Sequence, residues 1–371
     1  MVYNLALAGI FLFALAAKPF GQSKGRKLYL ALCFIMLVIV SGCRFQNEFS
    51  DFQVNYNRVI QASRQTWGEA LTYSTDFIHQ LFRKSVAMVF KDPQWYFILS
   101  AAFMVGTHMK CFEKYADCLW LCVLLYFSEF GFFQGNNTTR QTLAVAVTIL
   151  SWKYLLNKDF LKYNLTMFAA FFVHTSAIFF YPMYFLANIG LTKKNVYAYT
   201  FVGAVILAFN GPIISFFQRF LYSDYGESSY GMTSSNSLRL VLALACGVMI
   251  LINMYSRKRN WYDPRLRQQI RNPQRFNNLM LNGTFLFMMC TVLSVLRILL
   301  FSRVALYFAP CAIISFDKAI KRISNKNTRM LVAAGVVAFF LVWVLYKSLT
   351  GKLIPATFTP FWLYPDRMMI Y

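Results

Sequence analysis

Apolar residues in this chain run in stretches too long and too uniformly apolar for one face of a soluble helix, and short loops rich in lysine and arginine separate them. The stretches read as Val2 to Ala17, Leu28 to Gly42, Gln94 to Met109, Asp117 to Phe133, Arg140 to Leu156, Tyr163 to Ile189, Val196 to Asn210, Leu238 to Tyr255, Asn277 to Leu296, Arg303 to Phe316 and Met330 to Leu349. A helix that crosses a bilayer needs about 20 apolar residues, slightly fewer when its flanks snorkel. No basic region precedes Val2 to Ala17, and Lys18-Pro19 is no small-residue cleavage site, so that stretch is expected to stay as a helix.

Composition agrees. Of 371 residues 58% are hydrophobic and 14% charged, which leaves far more apolar surface than a soluble domain could bury. The expected fold is all-α: one polytopic membrane domain over residues 1–371, with about 11 to 12 passes.

Basic residues of short loops set the sidedness, since they stay cytoplasmic. Lys18, Lys24, Arg26 and Lys27 place the first loop inside, and Arg257, Lys258, Arg259, Arg265, Arg267, Arg271 and Arg275 place a later one there. Single crossings between these anchors give the wrong parity. Parity is restored if Tyr163 to Ile189 enters and leaves again, as two short arms turning near His174-Thr175-Ser176. Each arm is then roughly 20 Å long, too short for lipid exposure and expected to lie inside protein.

On that map the outer side collects arginine rather than lysine: Arg44, Arg58, Arg64, Arg83, Arg140, Arg219, Arg239, Arg297, Arg303 and Arg367. A guanidinium pairs bidentately with phosphate and keeps its charge where water is scarce, so the group suits a diphosphate. Arg58 and Arg64 read as solvated.

Topogenic loops and membrane-surface contacts account for most of the net charge of +23, and no nucleic-acid motif accompanies it. The eight cysteines form no CxxC pair, which excludes the familiar zinc and redox signatures. The one sizeable extramembrane part is Cys43 to Pro93. Within it Phe77, Ile78, Leu81, Phe82, Val86, Val89 and Phe90 recur at helical spacing opposite Arg83 and Lys84, the pattern of an amphipathic helix lying at the outer interface as a cap.

Four short islands, in order along the chain, resemble the Wzy-type polysaccharide repeat-unit polymerases of the EpsG-like branch. Arg44, Asp51 and Tyr56 are similar to that family's arginine, aspartate and tyrosine opening the first outer loop, although Ser50 stands where a glycine is customary. Asn137-Thr138-Thr139-Arg140-Gln141 resembles its arginine-glutamine pair at the mouth of a transmembrane helix. His174-Thr175-Ser176-Ala177 resembles its histidine turn, and Arg303 through Tyr307 its late arginine-to-tyrosine helix start.

The resemblance implies a bacterial cytoplasmic-membrane enzyme whose site faces outward, where undecaprenyl-diphosphate-linked oligosaccharides delivered by a flippase are joined into an O-antigen, capsule or exopolysaccharide under a chain-length regulator. It implies no cofactor, no metal and no nucleic acid; the partners are the lipid-linked glycan and membrane lipid. Such donors already carry a good leaving group, so catalysis needs charge stabilisation and a positioned hydroxyl. His174, Asp51 and Arg140 are the expected catalytic residues. Arg303, Arg297, Arg44, Gln141, Tyr56, Tyr307 and Glu129 are expected to bind diphosphate or glycan, with Glu129 alternatively pairing with Arg140. A polyprenyl-phosphate-sugar-dependent glycosyltransferase and a lipid-linked oligosaccharide transporter remain the rival readings.

Overall fold

The computed structural model describes residues 2–44, 50–72, 76–209, 211–212, 215, 237–255, 272–296, 300–350 and 360–363, with backbone alone at 50, 51, 71, 72 and 237. In chain order the helices are α1 (Val2–Ala17), α2 (Gly21–Gly42), α3 (Ser50–Arg64), α4 (Trp67–Thr72), α5 (Phe77–Val89), α6 (Gln94–Tyr115), α7 (Leu119–Ser128) and α8 (Phe132–Asn137). There follow α9 (Thr139–Leu156), α10 (Phe160–Val173), α11 (Met183–Leu186), α12 (Lys193–Ala208), α13 (Ser237–Tyr255), α14 (Pro273–Val295), α15 (Leu300–Arg322) and α16 (Lys326–Thr350). Every apolar stretch of the sequence carries helix, as expected where lipid leaves the backbone no partner but itself.

Among the described residues, Val2–Gly42, Leu238–Tyr255, Pro273–Val295, Leu300–Arg322 and Lys326–Thr350 are long and apolar enough to cross a membrane. As one helix the 41 residues of Val2–Gly42 would extend about 60 Å, twice the hydrocarbon thickness. Pro19 and the 3₁₀ turn Lys18–Phe20 break it, and Gly21, at φ 74°, redirects the chain so that α2 packs back on α1. The stretch Asp117 to Phe133 departs from expectation. Only α7 is helical before the chain turns at Glu129–Gly131, where Gly131 has φ 138°. Ten residues rise about 15 Å, and α7 is accordingly buried along its length.

The chain forms two compact units. One comprises Met1–Leu150, Phe168–His174 and Met330–Tyr371; the other comprises Ser151–Met167 and Thr175–Arg329.

The expected hairpin is present, with the chain passing from the first unit to the second at His174–Thr175. The helix α10 stops at Val173, a 3₁₀ turn spans Thr175–Phe180, and the chain doubles back. Tyr163 Oη donates to the carbonyls of Phe180 (3.2 Å) and Tyr181 (2.9 Å), and Tyr181 Oη donates to Asn164 Oδ1 at 2.6 Å. So short a return arm leaves carbonyls unsatisfied. A polar stripe on α14 meets them: Arg275 reaches the Tyr184 carbonyl at 2.8 Å, Asn278 that of Ala187 at 3.1 Å, and Asn282 those of Leu186 (3.0 Å) and Ile189 (2.8 Å). Helices α14 and α15 approach closely through Gly283, where a Cβ would lie 2.6 Å from the Cys311 side chain.

In the first unit α3, α5 and the start of α6 enclose a small core of Phe52, Tyr56, Val59, Val86, Tyr96 and Phe97. The amphipathic helix α5 is present, but its polar face is buried as well as much of its apolar one, where Val86, Phe82 and Phe90 pack into that core. Arg83 (2% exposed) and Lys84 (5%) face the protein interior with His79 and Gln80, while Met88 (59%) and Val89 (73%) face outward. Lys84 accounts for part of this: its ammonium donates to the carbonyls of Ser63 (3.3 Å) and Gln65 (2.5 Å), which end α3. The polar face of α5 is therefore a wall of a buried polar site.

Candidate functional site

Asp76 occupies the residue before α5, the usual place for a capping side chain, but makes no side-chain cap hydrogen bond. Its Oδ2 instead accepts from Arg140 at 3.3 Å and from His174 Nδ1 at 3.2 Å. The three side chains are largely buried, 6% exposed for Asp76, 9% for His174 and 14% for Arg140. A carboxylate only accepts, so the His174 proton is on Nδ1 and Nε2 is the basic nitrogen. This is an aspartate-oriented imidazole, the arrangement that prepares histidine to take a proton from a hydroxyl.

Arg140 is the second residue of α9, at the positive end of the helix, where a cation is disfavoured. More positive charge stands close by. Arg83 donates to Gln80 Oε1 at 2.9 Å, lies 3.4 Å from His79 Nδ1 and sits over the Tyr96 ring at 6.0 Å. Since arginine can only donate, His79 Nδ1 accepts, and Nε2 donates to Tyr96 Oη at 2.8 Å. Burial first, then the charges of Arg83 and Arg140, holds the His79 imidazole well below the usual histidine range. Burial likewise draws the Arg83 guanidinium down to about 10, leaving it charged at neutral pH. Arg58 and Arg140 thus act together on His79 and Arg83, a concentrated positive field that suits an anionic substrate.

The model of the EpsG family matches residues 27–361. The chain belongs to the EpsG family. That membership supports a polysaccharide polymerase-like, glycosyltransferase-like role in a bacterial inner membrane. No curated protein and no solved structure matches it.

Within this EpsG-family chain, the remaining expected residues have varied surroundings. Arg44 is buried (2%); it donates to the Ser41 carbonyl and, at 3.0 Å, to the Asn136 carbonyl, and it lies over the rings of Phe52 and Phe97. It ties the end of α2 to α8. Tyr56 is packed in the α3–α5 core, and Gln141 is buried beside Arg140. Asp51 falls in the first turn of α3, its side chain outside the described residues, as is all of Arg297. Arg303 and Tyr307 belong to the second unit: Arg303 is half-buried in the first turn of α15, and Tyr307 Oη lies 2.9 Å from Ser176 Oγ, holding the turn that follows His174. Arg58, expected to be solvated, is half-buried and acts electrostatically on His79 and Arg83, whereas Arg64 is exposed.

Glu129 pairs with Lys347, not Arg140: its Oε2 accepts from Lys347 Nζ and, at 3.0 Å, from Trp343 Nε1. Both charged groups are buried, so removing one strands the other, at a cost of about 3–5 kcal/mol. Lys347→Ala is expected to lower the melting temperature sharply, and Glu129→Gln combined with Lys347→Met to recover most of the loss. If Glu129→Gln instead melts normally but fails to act on substrate, Glu129 belongs to the reaction.

Asp76 and His79 are the residues that sequence reasoning missed, and Arg83 was grouped with the arginines suited to a diphosphate but not singled out for the site. Asp76 carried a faint signal, as one of only 14 acidic residues and placed between Arg64 and Arg83.

Proposed function

We propose that this protein joins undecaprenyl-diphosphate-linked oligosaccharide repeat units into a surface polysaccharide on the outer face of the cytoplasmic membrane. The carrying observation is that Asp76 Oδ2 faces both Arg140 and His174, which puts a basic imidazole and a phosphate-matching guanidinium on one carboxylate.

An acceptor sugar hydroxyl gives its proton to His174 Nε2 as its oxygen bonds to the donor's anomeric carbon. The anomeric carbon–oxygen bond breaks, and its electron pair leaves with the lipid diphosphate. Arg140, at the positive end of α9, neutralises the charge that develops on that oxygen. The proton passes from His174 to the departing diphosphate or to solvent, restoring the base. Asp76 keeps Nδ1 protonated and offsets the imidazolium during the step. Arg83 and Arg58 add a positive field at short range. No step calls for a metal ion.

Purified protein given lipid-linked repeat units in the presence of chelator is expected to build a ladder of products spaced by one unit. Substrate that is moved but not lengthened would favour a transporter. A ladder that appears only when magnesium or manganese is restored would favour a metal-dependent glycosyltransferase.

A further inference from the structure

At the other end of α2 from Arg44, about 33 Å away along a 22-residue helix, the first unit holds a second cavity of about 460 Å³. That is within the ordinary size of ligand sites, roughly 300–1,000 Å³. It lies among the end of α1, the Lys18–Phe20 turn, the start of α2 and the link between α6 and α7, on the face carrying the first basic loop. Its walls include Ala14, Lys18, Arg26, Tyr29, Asp117 and Trp120.

Three features call for a phosphate. Lys18 is exposed on the wall and has no ion-pair partner among the described residues, which leaves its ammonium available to an anion. Arg26 is fixed by donating to the carbonyls of Asp117 (3.0 Å) and Ala116 (3.0 Å), so its charge is held at the cavity edge at no further ordering cost. The Tyr29 hydroxyl, on a residue 3% exposed, makes no hydrogen bond of ordinary geometry; the Cys33 thiol one turn on is a weak partner. A buried hydroxyl in that condition is expensive unless a ligand accepts from it. On the same α1-to-turn segment Leu12 (60% exposed), Leu15 (59%) and Phe20 (58%) are exposed apolar side chains of the kind that acyl chains cover. Asp117 shares the wall and disfavours a second anion, so an ammonium beside the phosphate fits better.

We infer that this cavity seats the headgroup of a membrane phospholipid, its phosphate between Lys18, Arg26 and the Tyr29 hydroxyl and an ammonium toward Asp117. The site stands apart from the proposed reaction and does not depend on it.

Native mass spectrometry of the full chain, titrated with phosphatidylethanolamine, phosphatidylglycerol or diacylglycerol of the same acyl chains, tests this. One phosphatidylethanolamine is expected to bind at least about tenfold more tightly than diacylglycerol, and about tenfold more weakly to Lys18→Gln/Tyr29→Phe. Lys18→Gln alone changes one exposed side chain and leaves Lys24, Arg26 and Lys27 to hold the topology, so a folding defect cannot mask the result. Filling the cavity with Ala14→Trp should also displace the lipid. Equal binding of diacylglycerol, or full affinity in the variants, would overturn the site. Competition by inorganic phosphate at millimolar concentration would assign the same contacts to a soluble ligand and overturn the lipid, and phosphatidylglycerol binding equally well would overturn the part given to Asp117.

Discussion

Asp76→Asn is expected to abolish chain building while leaving the protein folded and inserted. Asparagine keeps the shape and a hydrogen-bonding oxygen. It loses the negative charge that faces Arg140 and His174, both near 3.2–3.3 Å from the same oxygen. The amide can also present its NH₂ to Nδ1, which moves the imidazole proton to Nε2 and removes the base. A loss on the order of 10³-fold in turnover is expected, the scale of a general base deprived of its orienting group. Asp76→Glu, which retains the charge at a displaced position, should recover part of it. Asp51→Asn is the informative companion, because the motif resemblance points to Asp51 and the geometry to Asp76. The assay is the product ladder from purified protein, with elution from a sizing column as the check on folding. Near-normal turnover in Asp76→Asn together with a dead Asp51→Asn would return the carboxylate role to Asp51 and sink the dyad.

Arg140→Lys comes next in size. Lysine keeps one positive charge but loses the planar fork that spans two phosphate oxygens, and at the start of α9 its strongly hydrated ammonium is harder to keep dry. Turnover should fall on the order of 10²–10³-fold, as when a single oxyanion-stabilising donor is removed. Part of the Asp76 pairing survives in lysine, so folding is expected to persist. Arg303→Lys addresses the second unit in the same way and should also be steeply impaired. The control is Arg64→Ala, at an exposed position where water already solvates the charge. Arg58 is unsuitable as a control, because it is half-buried and acts on His79 and Arg83. Normal polymerisation by Arg140→Lys, or losses in Arg64→Ala as deep as those in Arg140→Lys, would reduce the outer arginines to topology signals.

Much of the architecture is legible in the chain before any fold is drawn. Lipid offers backbone groups no partner, so an apolar stretch must close its hydrogen bonds within itself; helix position follows from local composition. The parity of basic loops called for a break near His174, where α10 ends and the chain returns. Arg140 was legible too, as a cation that opens a helix and calls for an anion.

What only the tertiary structure decided is which partner each charge meets. Arg140 and His174 reach Asp76 across 64 and 98 residues of chain, and Glu129 reaches Lys347 across 218. No local spacing encodes such pairs. The same holds for the orientation of α5: its alternation of apolar and polar faces is visible in the sequence, but a helical moment has no sign until something packs against it. In water the polar face would turn outward. At a membrane interface part of the apolar face has lipid to meet, and Arg83 and His79 find partners inside in Gln80 and Tyr96, so they turn inward.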